Sequence, residues 1–321
     1  MNNEIFNQLL EITDEEKQIL DEGGKISKGH YTDEYEFVID STKLLEKGRL
    51  VSVRPHTRFA AFPKHRHNYV EMVYMYNGST THIINGEEVK LEKGDILLIG
   101  SGCTQEIFPA GYEDLAVNFI ILPEFFETDL KNSEDSVAVE FITDFLMSKN
   151  GGDYLHFKTS DVRPVVNLAE NLIWLHYNSK KRSMIRATMK LLIMTLAGFT
   201  DRITAKDKTG DYDRGIFFSL LSYLESNYTN AELIAFSRLV NEDIYYVGRV
   251  IKKFTGKTFK ELLQAKRLAR AVYLLENTQF PVSEIIYSVG YENTSYFHKI
   301  FKEKYGCTPC NYRKLNCNLN L

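Results

Sequence analysis

The stretch Val289-Gly290-Tyr291-Glu292-Asn293-Thr294-Ser295-Tyr296-Phe297-His298-Lys299-Ile300-Phe301-Lys302 decides how the rest of the chain is read. A short helical pattern leads into a tight turn at Gly290, and a second helix follows with basic residues along one side. The same layout occurs upstream, from Ala231 to Phe254, with its turn at Asn241 and the ending Val247-Gly248-Arg249-Val250-Ile251-Lys252-Lys253-Phe254. Gly and Asn suit such turns because both tolerate left-handed backbone. Each unit is a helix-turn-helix pattern. Arg249 and Lys299 take matching positions 50 residues apart, while Val250, Phe297, Ile300 and Phe301 read as core. The helix between the units, Phe259 to Glu276, is ~27 Å long at about 1.5 Å per residue. It can hold two recognition helices about one duplex turn, ~34 Å, apart. Thr229 to Glu232 and Thr258 to Glu261 fit capping boxes, and Thr308-Pro309 fits an N-cap followed by a first-turn proline.

Charge is uneven along the chain. Residues 214–321 hold 15 Lys and Arg against 9 Asp and Glu, a balance of +6, whereas 1–213 stand at -10. An acidic body with a basic C-terminal third implies a module for a polyanion joined to one that is not. At 321 residues, two or three domains are expected from a prior of roughly 150 each. A 44% hydrophobic share supports a real core, and 7 prolines with 19 glycines exclude a collagenous or low-complexity chain. Met1 to Thr13 is polar and acidic, unlike a secretory signal. The most apolar stretch, Leu191 to Phe199, is far short of the ~20 residues a membrane helix needs. Cys103, Cys307, Cys310 and Cys317 read as reduced thiols in a cytoplasm, because Cys307-x2-Cys310-x6-Cys317 lacks a fourth metal ligand.

Residues from about 50 to 122 read as strands. Val70 to Tyr76 is rich in β-branched and aromatic residues, and Thr80 to Ile84 follows Asn77-Gly78. Asn85-Gly86 is a strong hairpin signal, since both central residues of a type I′ turn need positive φ. Lys93-Gly94-Asp95 precedes another apolar run, Ile96 to Ile99. Short strands between glycine turns imply a small barrel or sandwich. Beyond Pro123, Val162 to Tyr177 and Met184 to Ile203 carry apolar residues at helical spacing, with Trp174 as interface or core. Ala205 to Asp213 reads as a linker, and every segment from Gly215 onward as helix.

Gly256-Lys257-Thr258-Phe259, Lys266 to Ala271, Gly290-Tyr291 through Phe297, and Tyr305-Gly306-Cys307-Thr308-Pro309-Cys310-Asn311-Tyr312-Arg313 strongly resemble the DNA-binding domain of the AraC/XylS transcription regulators. The resemblance covers about 214–316 and implies that each recognition helix enters a major groove of double-stranded DNA. Its base-facing candidates are Tyr245 and Arg249 in the first helix, and Thr294, Ser295, Tyr296 and Lys299 in the second. His298, Lys252, Lys253 and Lys302 are the phosphate candidates. Two residues depart from the family pattern. Gly248 stands where a base-reading side chain is frequent, and Ile286 replaces a small residue.

His65-x-His67-x3-Glu71-x6-Gly78 has the spacing of the first cupin motif. Two imidazoles and a carboxylate suit divalent metal ions. The second motif begins with Gly94-x5-Gly100-x-Gly102, but Gln105 stands where a metal-binding cupin has its third His. The segment 50–122 looks like the sensor barrels attached to AraC-type regulators, which implies effector binding rather than chemistry. Effector-binding candidates are His65, His67, Glu71 and Gln105, with Phe62, Val73 and Met75 as further pocket residues. Polar groups of this kind hydrogen-bond sugar hydroxyls.

The expected architecture is therefore α+β and multi-domain. Residues 1–130 form a cupin-like effector domain with an N-terminal arm. Residues 131–213 form a helical dimerisation segment and linker, and 214–321 an all-α double helix-turn-helix. The resemblance implies a cytoplasmic, homodimeric regulator, an activator that meets RNA polymerase and responds to a small polar effector such as a carbohydrate. Neither catalytic residues nor a metal or cofactor are expected. The alternatives are a metal-dependent cupin enzyme fused to a DNA-targeting module, and a regulator that needs no effector. Gln105 argues against the first.

Overall fold

The computed structural model describes residues 3–33, 35–130, 137–147, 153–179, 181–203 and 209–317. The chain divides into two compact units, 1–132 with 139–204, and 205–321 with 133–138.

In the first unit Asn85 and Gly86 take φ of 51° and 84°, the double positive φ that closes a type I′ hairpin. That hairpin joins β5 (Ser79–Ile84) to β6 (Glu87–Glu92). The other strands are β1 (Val38–Ile39), β2 (Val51–Pro55), β3 (Phe62–His67), β4 (Val70–Asn77), β7 (Ile96–Ile99), β8 (Gln105–Ile107), β9 (Leu115–Ile121) and β10 (Tyr154–Phe157). They form two five-stranded sheets, β1-β3-β8-β5-β6 and β10-β7-β4-β9-β2. Val73, Met75, Leu97, Ile99 and Ala116 of the second sheet pack with Ile84, Val89 and Leu91 of the first, closing one end of a cupin-like barrel. Gly94 is obligatory at its turn: φ is +88°, and a Cβ there would lie 2.5 Å from the Ser160 Cα.

Strands β1 and β10 and the N-terminal arm lie outside the expected 50–122 strand region. Strand β10 adds to the β7 edge, with His156 opposite Leu97. The N-terminal arm is a helix pair, α1 (Asn3–Leu10) and α2 (Asp14–Asp21), the second started by a Thr13–Glu16 capping box. Glu16 is buried and grips buried Arg58 through two bonds of 2.7 and 2.9 Å, so the arm is anchored to the barrel. Short α3 (Ser41–Leu44) and α4 (Pro123–Phe125) precede α5 (Val137–Leu146), α6 (Arg163–Trp174) and α7 (Arg182–Ala197). The last of these packs on β2 and stops at Ala197, short of the Ile203 end that periodicity implied, because Ile203 pairs with Phe157. Trp174 is 39% exposed.

The second unit is entirely helical among the described residues: α8 (Thr209–Asn227), α9 (Leu233–Leu239), α10 (Ile244–Thr255), α11 (Phe259–Asn277), α12 (Val282–Ser288), α13 (Thr294–Tyr305) and α14 (Pro309–Cys317). Of the expected linker, 205–208 lies outside the described residues, and Thr209 to Asp213 already belongs to α8. The Thr258–Glu261 capping box forms. The Thr229–Glu232 box does not: Glu232 is itself the N-cap of α9 and makes no side-chain cap bond. Its amide is taken by the Tyr223 hydroxyl at 3.2 Å.

Both turns adopt left-handed backbone, Asn241 at φ 55° and Gly290 at φ 90°. Helices α9 and α12 begin 49 residues apart, whereas α10 and α13 begin 50 apart, so the second turn is one residue longer. Ile286 is buried with Ile285, Val289, Phe297, Ile300 and Phe301 against Leu268, Ala271, Val272 and Leu275 of α11.

Candidate functional site

The two recognition helices have equal lengths and equivalent caps, so their residues can be numbered in one register. Asp243 caps α10 and Asn293 caps α13, each by a side-chain oxygen, and Gly256 and Gly306 end them in left-handed backbone. Counting from the caps pairs Tyr245 with Ser295, Arg249 with Lys299, and Lys252 with Lys302. Each trio follows i, i+4, i+7 spacing and therefore shares one helix face. All six side chains are exposed, as is Tyr296, while Thr294 and His298 are half-buried. Val247, Val250 and Ile251, like Phe297, Ile300 and Phe301, face the core. Lys253 is placed differently. Its ammonium pairs with Asp213 at 2.6 Å, and Asp213 also accepts the Tyr246 hydroxyl, so this lysine ties α10 to α8. The Arg249 guanidinium lies 5.8 Å from the centre of the Tyr246 ring. A Cβ on Gly248 would meet nothing within 4 Å, which leaves the exposed side of α10 open beside Arg249.

The barrel encloses a cavity of about 30 Å³, lined among others by Tyr31, Arg54, His56, His65, His67, Tyr69, Glu71 and Asn118. Strand alternation places these groups inside. His65 and His67 are two apart on β3, and Glu71, Val73 and Met75 share a face of β4. Of the residues expected at the pocket, His65, His67, Glu71 and Phe62 line this cavity. Val73 and Met75 are in the apolar core beyond it. Gln105 does not line it. It is fully buried opposite His65, and its amide nitrogen donates to the His82 Nδ1 at 3.0 Å.

Hydrogen bonding fixes where the protons are. Asn118 donates to the Glu71 Oε1 at 2.9 Å, so its oxygen accepts from the His56 Nδ1 at 2.9 Å. His56 Nε2 is then an acceptor. His65 donates from Nδ1 to the Pro63 carbonyl at 2.7 Å. His82 accepts from Gln105 and donates from Nε2 to the Thr80 hydroxyl at 3.1 Å. Six buried side-chain atoms have no partner among the described residues, and four of them are in the barrel: His56 Nε2, His67 Nδ1, Glu71 Oε2 and Gln105 Oε1. Burial holds His67 down to about 3, and burial with the nearby His67 holds His65 down to about 4, so both imidazoles are neutral near pH 7. No cluster of three His, Cys, Asp or Glu among the described residues is arranged to hold a metal ion.

The barrel segment, residues 50–136, matches the family model of the AraC-like ligand binding domain, and residues 237–315 match that of a helix-turn-helix domain. The chain thus joins an AraC-like ligand binding domain to a helix-turn-helix domain. The chain is 24% identical over 273 residues to the HTH-type transcriptional activator RhaR of Enterobacter sp. (strain 638), covering 83% of this chain and 92% of that one. It is 26% identical over 256 residues to RhaR of Mannheimia succiniciproducens, covering 78% and 87%. The C-terminal domain of AraT, a response regulator from Geobacillus stearothermophilus, aligns at 30% identity and a TM-score of 0.30, covering 31% of this chain and 84% of that chain.

The sequence reading of the barrel missed His56, His82 and Asn118. His56 and His82 lie just outside the His65–Glu71 motif and Asn118 lies 47 positions beyond Glu71, and strand register brings them together. A histidine on alternate inward positions was the available signal. None of the described helices is long and apolar enough to cross a membrane.

Proposed function

We propose that this chain is a sequence-specific transcriptional activator controlled by a small, hydroxyl-rich effector of the carbohydrate class, bound in the barrel. The observation that carries the effector reading is the set of three orphaned polar atoms of cavity-lining residues, His56 Nε2, His67 Nδ1 and Glu71 Oε2. Each buried group left unpaired costs ~1–3 kcal/mol. The carboxylate and the His56 nitrogen are acceptors, so the complementary ligand brings donors, as a polyol does. At about 30 Å³ the cavity suits water, and a sugar therefore needs a wider barrel. Tyr31 and Arg54 line the cavity, and Glu15 of α2 holds both, so opening on that side strains the arm.

DNA is read by Tyr245, Arg249, Thr294, Ser295, Tyr296 and Lys299, with Lys252, His298 and Lys302 on phosphates; the Asp213 pair makes Lys253 a weaker phosphate ligand. The relatives named transcriptional activators support activation, and with it contact to RNA polymerase in the cytoplasm. Exposed Met184 and Leu191, seven apart on α7, support a homodimer seam, making 131–213 a dimerisation segment between domains 1–130 and 214–321. The barrel acts as a sensor and not as an enzyme, since Gln105 offers an amide already bonded to His82 in place of a third ligand.

The test is thermal unfolding of the purified full chain against monosaccharides and polyols. One of them is expected to raise Tm for the wild type and not for His67→Ala, while operator binding without ligand is unchanged. A Tm insensitive to every polyol, with one tightly held metal per chain by elemental analysis, overturns the effector reading.

A further inference from the structure

We infer that Arg267, through the backbone at Thr229 and Gly290, is the clasp that fixes the geometry between the two recognition helices and so sets the half-site spacing the regulator accepts; this rests on the DNA-binding reading above. Arg267 projects from α11. Its Nε donates to the Tyr228 carbonyl at 2.7 Å and its Nη2 to the Thr229 carbonyl at 2.8 Å. Those carbonyls belong to the loop that leads into α9 of the first motif. The same guanidinium lies 5.2 Å from the centre of the Tyr291 ring, which follows the turn glycine of the second motif and stands edge-on to Phe297 of α13 at 5.1 Å. One planar group thus ties the first motif, the connecting helix and the second motif together.

Gly290 completes the contact. A Cβ there would lie 2.4 Å from the Thr229 oxygen, 2.9 Å from the Thr229 Cα and 3.0 Å from the Arg267 Cζ. The second turn therefore rests, backbone on backbone, on the loop of the first motif. Asn241, at the equivalent turn of the first motif, is exposed. Two N–H donors in one plane with a stacking face are specific to arginine; a lysine ammonium has the charge without the plane.

Spacing selectivity needs such rigidity. Moving one half-site by a base pair shifts it ~3.4 Å and turns it by ~35° around the duplex. A rigid pair of helices loses at least one base contact by that shift, equivalent to about tenfold or more in affinity. A loose pair follows the DNA.

The experiment uses the full chain and a duplex library in which the two half-sites are separated by variable spacers. Wild type is expected to discriminate about tenfold or more against a spacer one base pair too long or too short. Arg267→Lys and Arg267→Ala are expected to reduce that discrimination severalfold, with base preference inside each half-site and the salt slope unchanged. Thr229→Ala keeps the carbonyl and is expected to behave as wild type. Undiminished spacing selectivity in both Arg267 variants overturns the proposal. So does a salt slope smaller by about one, which marks a direct phosphate contact. Loss of cooperative unfolding in both variants also overturns it, because Arg267 would then serve folding and not positioning. A wild type that prefers no half-site sequence instead overturns the DNA-binding reading itself.

Discussion

Gly248 lies mid-helix in α10 with no neighbour near its absent Cβ. Gly248→Ala is therefore expected to stabilise the C-terminal unit by ~1 kcal/mol, the propensity difference between the two residues. Thermal unfolding of residues 205–321 should show a Tm several degrees higher with operator preference unaltered; a lower Tm would reveal a clash. The barrel histidines make an opposite kind of residue-level statement. His65 and His67 are held neutral in the folded state, at about 4 and about 3, while the unfolded chain protonates them near 6.5. Below pH 6.5 the unfolded state binds more protons, so stability falls as pH drops from about 6.5 toward 4, and it is fully present above that window. Each neutral histidine contributes a slope of up to ~1.4 kcal/mol per pH unit. Urea unfolding at pH 7 and pH 5 is expected to show this loss, and His65→Asn with His67→Asn should flatten it.

At the scale of elements, α2 is anchored by the buried Glu16–Arg58 ion pair, with Glu15 bonded to Tyr31 and Arg54 beside it. Burial alone would raise the Glu16 carboxyl, yet the Arg58 bonds and the Thr13 amide hold it below the ordinary range. Breaking a buried pair on one side costs ~3–5 kcal/mol, so Glu16→Ala should release the arm and cut the stability of the first unit by about that much. Rapid proteolysis near residues 10–25 would report it; an unchanged digestion pattern would show that other contacts hold the helix. The same pair explains why the arm was illegible in sequence. Helix α2 has eight residues, and its partner Arg58 lies 42 positions on. Strand β10 has four residues and finds β7 more than fifty positions upstream. Strands β4 to β7, by contrast, were legible because glycine turns and hairpin pairs mark them locally. The double helix-turn-helix was legible through its turns and caps, except at Thr229, whose carbonyl is committed to Arg267. In the barrel, His65, His67 and Glu71 lie close enough in sequence to be seen. His56, His82 and Asn118 enter only through register.

Across the whole molecule, charge separates by unit, +6 over 214–321 and -10 over the rest. Residues 205–321 alone are expected to bind a specific duplex, and the affinity should fall steeply with salt as counterions leave the phosphates. Lys299→Ala should relax preference at particular base pairs at a cost of ~1–3 kcal/mol, whereas Lys302→Ala should weaken all sequences alike and reduce the salt slope by about one. Binding-site selection at two salt concentrations distinguishes them, and unaltered base preference in Lys299→Ala would remove it from the reading set. The gap at Gly248 also bears on inheritance. Every glycine codon is a single-base change from an arginine codon, and at this position the new side chain would meet no packing obstacle. A lineage carrying this gene can therefore acquire a new operator without first destabilising the protein that must recognise it.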